Sequence, residues 1–149
     1  MRPDSPKVLF GVAAALMTQI MPEVRTPIAV QTVTLSAALL SMVAQEFDRA
    51  SSRLVDEDRA VRTLLSDARG IIEDATLRSR IGAEIADPIE HDLHVSALQG
   101  ANDRLRALLI DVHAAIEEIP GEAAMNLNDR IWDELRESTR RRHLASGLA

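Results

Sequence analysis

The chain has 149 residues, no cysteine, one tryptophan, two phenylalanines, no tyrosine and a formal net charge of −6. That length can bury one core, and residues 1–149 read as a single helical-bundle domain. The absence of cysteine excludes disulfides, zinc–thiolate sites and cysteine nucleophiles, while the acidic balance and scarce aromatic rings argue against a nucleic-acid partner, which needs a basic face and stacking surfaces.

Leu9, Val12, Leu16 and Ile20 share one face and predict a first helix over residues 5–21. Arg2, Asp4 and Lys7 precede its apolar run, no small-residue cleavage site follows, and Pro22-Glu23 comes directly after. No signal peptide is therefore expected, and the expected location is cytoplasmic. Pro22 and Pro27 bracket a turn. From Ile28 the stripe Leu35, Leu39, Val43, Phe47, Ala50, Leu54, Val61, Leu64, Ala68 and Ile72 keeps helical spacing. It fits one long helix or two nearly collinear ones meeting around Ser51-Ser52. Residues 26–45 carry no charge and are long enough to span a bilayer, but Gln31, Thr32, Thr34, Ser36, Ser41 and Gln45 interrupt them. The expectation is a helix buried on most sides, partly in a dimer interface, rather than a membrane span.

Gly70 weakens the end of that helix, and Asp74 can cap a short third one carrying Leu77, Ile81 and Ile85. Asp87-Pro88-Ile89-Glu90 places a preferred cap, a proline at the first helical position and a glutamate at the third. A fourth helix is expected from there to Pro120-Gly121. A fifth follows over residues 127–144, opened by Asn126 or Asn128 and closed near Gly147. No segment alternates as a strand would. The fold class is all-α: a bundle of about five helices, two of them long.

Residues 46–74 align with residues 90–118 at an offset of 44, with ten of 29 positions identical, among them Arg62/Arg106 and Asp67/Asp111. One reading is an internal pseudo-twofold duplication of a long helix and its return; the other is two Leu-rich amphipathic helices falling into the same phase. Leu98, Ala101, Leu105, Leu108, Val112 and Ile116 form the apolar face of the fourth helix. Arg106 and Asp111 fall off it, as do Arg62 and Asp67 in the first copy, so these are expected on a solvated flank, with Asp58–Arg62 available as an i,i+4 pair.

The upstream ends of the repeat carry the candidate site. Glu90 and His94 are four apart and continue the Leu98–Leu105 stripe, and Glu46 holds the equivalent place between Val43 and Ala50. Two carboxylates and an imidazole could bind a divalent metal or share a proton; capping by Glu90 and a satisfied, partly buried His94 explain the same residues without a site. The Glu-x-x-His pairs of di-iron bundles do not occur, nor do phosphate-loop, dinucleotide or nucleophile-elbow motifs. Arg140-Arg141-Arg142-His143 is the dense basic run. It fits stabilisation of a helix C-terminus, with an acidic partner or coenzyme phosphates as the lesser reading. Trp132, between Ile131 and Leu135, is expected to pack the last helix onto the bundle.

The strings LLSMVAQEFDRASSRLVDEDRAVRTLL and LHVSALQGANDRLRALLIDVHAAIE resemble a family of small, uncharacterised all-helical bacterial proteins encoded near acyl-CoA dehydrogenase-like and aminoglycoside-phosphotransferase-like enzymes. The resemblance spans residues 6–143 and implies an accessory role in acyl-CoA metabolism, with no catalytic motif to carry over. Together these features lead to the expectation of a non-catalytic interaction or accessory protein, acting as a homodimer or an enzyme-associated subunit. The alternative is a small-molecule or metal-binding bundle using Glu46, Glu90 and His94.

Overall fold

The computed structural model describes residues 4–86 and 92–144. Among these residues it is all-α, with no strand: α1 (Ser5–Ala15), α2 (Pro27–Ala68), α3 (Ala75–Ala86), α4 (Val95–Glu117) and α5 (Glu122–Arg141). By their internal contacts the described residues form two units, one comprising residues 4–50 with 143–144, the other residues 51–86 with 92–142. The 42-residue α2 is a single helix contributing to both, which resolves the choice between one long helix and two.

In the first unit, Asp4 caps α1 by accepting from the Lys7 amide, and Pro6 occupies the first turn, where no donor is lost. After Ala15 the helix widens into a π-turn, Leu16–Ile20, and then tightens into a 3₁₀ turn, Met21–Glu23. A π-turn rotates every later side chain relative to an α-helical projection. The expected face does not hold: already within α1 Val12 is exposed, Leu9 only half-buried and Ala13 the buried residue, and in the π-turn Leu16 is half-buried and Ile20 exposed.

The first half of α2 inverts the expected stripe as well. Its buried positions are small, with Ala37 and Ala44 two turns apart at 2% and 0% exposure. The large residues of the stripe lie outside: Ile28 is 79% exposed, Leu35 58%, Leu39 52%, Val43 53% and Phe47 62%. The stripe goes inside from Ala50 and Leu54 onward.

The second unit holds the hydrophobic core. Val61, Leu64, Leu65 and Ala68 of α2 meet Leu77 and Ile81 of α3, Leu105, Leu108, Leu109, Val112 and Ile116 of α4, and Ala124, Leu127 and Ile131 of α5. Each fully buried leucine or isoleucine contributes about 1.5–3 kcal/mol. Asp74 caps α3 as expected, accepting from the amides of Thr76 at 2.7 Å and Leu77 at 3.1 Å. The proposed Asp87–Glu90 capping box lies outside the described residues. The next helix begins at Val95, with His94 as its cap in an extended conformation. α5 starts at Glu122, earlier than expected, because Gly121 adopts φ 120°, a left-handed angle that glycine tolerates and that turns the chain straight into the helix. Asn126 and Asn128 are inside α5 rather than before it, and α5 ends at Arg141.

Candidate functional site

Of the three residues singled out at the upstream ends of the repeat, the structure describes Glu46 and His94, each in a different unit. Glu46 is half-buried on α2, in the first unit. His94 precedes α4 instead of extending the Leu98–Leu105 stripe. Its side chain is 85% exposed, its Nδ1 pairs with the Asp92 carboxylate, and its backbone amide donates to the same oxygen at 2.9 Å. Those bonds hold the Asp92 carboxyl below its usual range. Glu90 lies outside the described residues, among which no group of three or more His, Asp or Glu side chains is placed to hold a metal ion.

The second unit contains a different cluster, made by two acidic residues in the middle of the α2 stripe. Glu57 and Asp58 follow Leu54 by three and four positions, the spacing of a buried face, and both are 0% exposed. Glu57 is enclosed by three guanidinium groups. Arg142 reaches both carboxylate oxygens, Nε to Oε1 at 3.2 Å and Nη2 to Oε2 at 2.8 Å. Arg106 Nη2 donates to Oε2 at 3.2 Å, and Arg53 Nη1 to Oε1 at 3.4 Å. Burial alone would push this carboxyl up. The Arg142 hydrogen bonds, together with the charges of Arg142, Arg106 and Arg53, outweigh it and hold the group below its ordinary value.

Asp58 shows the reverse balance. Among the described residues neither carboxylate oxygen has a hydrogen bond of ordinary geometry: the Arg62 Nε stands 3.8 Å away, and the Asn102 amide acts on the group only as a weaker, imperfect donor. Burial dominates and raises its pKa, with Glu84 adding to the rise; the Arg62 charge, Asn102 and the Arg104 charge offset part of it. Asn102, also 0% exposed, accepts from Arg106 Nε at 3.1 Å, and its Nδ2 has no acceptor of ordinary geometry among the described residues. Arg106 further donates to the buried Ser138 hydroxyl. Each long helix therefore contains an arginine set four residues after a buried polar side chain: Asp58–Arg62 in α2 and Asn102–Arg106 in α4, at matching places of the 44-residue offset.

These contacts correct the expectation of a solvated flank. The Arg62 and Arg106 side chains are only 14% and 26% exposed, and both work on buried acids. Asp67 and Asp111 do lie near the surface, where each forms a 2.7 Å ion pair with a return helix: Asp67 with Arg130 of α5, Asp111 with Arg80 of α3. The basic run is also engaged. Arg141 grips Glu134 with two hydrogen bonds at 2.7 and 3.0 Å, and Arg140 pairs with Glu137. Trp132 is 45% exposed and sets its ring edge-on to His113, centroids 5.2 Å apart.

Chemically, a carboxylate surrounded by three guanidinium groups stays ionised and is a poor proton acceptor. The Glu57 cluster is suited to locking α2, α4 and the end of α5 together. The sequence signal for it was the interval between Leu54 and Val61, where a helix with a continuous buried face places Glu57 and Asp58. No family model, curated protein or solved structure matches the chain.

Proposed function

We propose that the protein acts by association, with the first half of α2 pairing with a second copy of the chain. The observation that carries this reading is the inverted stripe. Ile28, Leu35, Leu39, Val43 and Phe47 are all more than half exposed, while Ala37 and Ala44 fill the buried side. Five such side chains expose on the order of 500 Å² of apolar area, near the upper end for a monomer's largest patch and a large part of the about 800 Å² that each partner buries in a standard interface. A helix face with a 3.6-residue repeat of large side chains suits a matching helix. Light scattering coupled to size exclusion tests this: a dimer is expected, and Leu39→Asp with Phe47→Asp should convert it to a monomer of unchanged helix content.

A second reading, attachment to a bilayer, draws on two observations. An 18-residue window of α2 has a mean hydropathy of 1.6 with only 11% of it buried. The hydroxyls of Thr32, Thr34 and Ser41 donate to carbonyls four residues back, at 2.9, 2.9 and 3.0 Å, which hides their polarity within the helix. Gln31 is exposed on the same side as Ile28 and Leu35, however, and a carboxamide facing hydrocarbon is costly. Self-association is therefore the favoured reading. Recovery of the protein in the membrane fraction after high-salt washing would reverse that preference.

A further inference from the structure

A cavity of about 150 Å³ lies between α4 and α5, lined by Arg106, Leu109, Ile110, His113, Ile131 and Leu135. Four of these side chains are apolar, and the two polar ones stand seven residues apart on α4, about 10 Å along its axis. Arg106 commits Nε to Asn102 and Nη2 to Glu57 and Ser138, which leaves Nη1 without an acceptor among the described residues. The His113 Nε2 lies 2.7 Å from Asn128 Oδ1 and 3.6 Å from Glu117 Oε1, so this nitrogen is turned to partners on its own helix and α5. We propose that this cavity binds a short-chain aliphatic monocarboxylate, its carboxylate on Arg106 Nη1 and its chain along Leu109, Ile110, Ile131 and Leu135. Calibration of volume sets the length, because a cavity near 150 Å³ accepts a six-carbon guest such as benzene, so about four to six carbons fit. Charge sets the class: a fixed, partly buried guanidinium prefers an anion, and walls this apolar disfavour a larger, more heavily hydrated group such as phosphate. The proposal is independent of self-association, since no residue of the α2 stripe takes part.

Trp132 is the one tryptophan of the chain and touches His113 at the cavity, so its fluorescence reports occupancy. The full chain is titrated with sodium hexanoate, with hexanol, and with sodium chloride at matched ionic strength. Hexanoate should give a saturating change in emission, hexanol a response at least about tenfold weaker, and sodium chloride none. Ile110 is 70% exposed, so Ile110→Glu adds a competing carboxylate at the cavity without disturbing the core and should weaken hexanoate at least about tenfold. Leu135→Phe, which fills the space without adding charge, should weaken it similarly. The proposal is overturned by the absence of a saturable hexanoate response, by hexanol binding equally well, or by undiminished binding in variants that keep the wild-type circular dichroism.

Discussion

Arg142, just past the end of α5, closes on the fully buried Glu57 of α2 with two hydrogen bonds, at 3.2 and 2.8 Å. The contact joins positions 85 residues apart in sequence and gives the end of the basic run a specific task. The Arg142 side chain is 45% exposed, so solvent screens part of the attraction. Arg142→Ala should cost about 1 kcal/mol, because Arg106 and Arg53 still face the carboxylate. Glu57→Ala should cost more, about 3 kcal/mol, since it removes the fully buried carboxylate that Arg53, Arg106 and Arg142 share. Urea denaturation of both variants checks the order, and equal losses would contradict it.

The two neighbouring acids should act oppositely on stability as pH changes. Glu57 has a folded-state pKa below the ordinary 4.5, so its contribution is present above that value and is lost as pH falls through the lowered one. Asp58 has a folded-state pKa above the ordinary 3.8, so the folded protein binds the extra proton. Its contribution is present below 3.8 and is lost as pH rises through the raised value. Thermal midpoints across the acid range should fall less steeply toward low pH in Glu57→Gln than in the wild type. In Asp58→Asn the loss on raising pH should be reduced. Parallel curves for all three proteins would show that neither group is linked to folding.

Asp58→Asn should also leave stability at neutral pH unchanged or raised, since a neutral carboxamide removes the cost of burying an ionised group that lacks hydrogen bonds of ordinary geometry. It would place asparagine at both matching positions, 58 and 102. A loss above about 1 kcal/mol in chemical denaturation would mean that the Arg62 charge, 3.8 Å away, outweighs that burial cost.

Asp74→Ala should destabilise the protein by about 1 kcal/mol, because the Asp74 carboxylate accepts from two amides of the first turn of α3. Denaturation at neutral pH tests it. An unchanged midpoint would remove the cap as a contributor.

The features legible in the sequence were those set by local chemistry. The Asp74 cap, the apolar periods of α3 and α4 and the continuity of Leu54–Val61–Leu64–Ala68 all follow from side chains acting within a few residues. Asn126 and Asn128 have the chemistry of caps, but the left-handed Gly121 turns the chain into α5 before them. In α1 the small Ala13, not Val12, takes the buried side, and the π-turn after Ala15 shifts the helical phase only for the residues from Leu16 onward. Periodicity identified the Ile28–Phe47 stripe but not its direction: it marks a face that is apolar, and here alanines occupy the buried side. The Glu57 cluster is not legible in the sequence because only Arg53 is local to α2, while its other two cations come from distant positions, Arg106 on α4 and Arg142 beyond α5. Helical spacing would put His94 on the Leu98 stripe, but as the extended cap of α4 it lies off that stripe.

The association of α2 with a second copy is the central claim, and analytical ultracentrifugation of the full chain tests it most directly. A dimer is predicted in the wild type and a monomer with the same circular dichroism in the Leu39→Asp, Phe47→Asp double variant. A wild type that stays monomeric at every concentration, or a dimer that survives both substitutions, would contradict it.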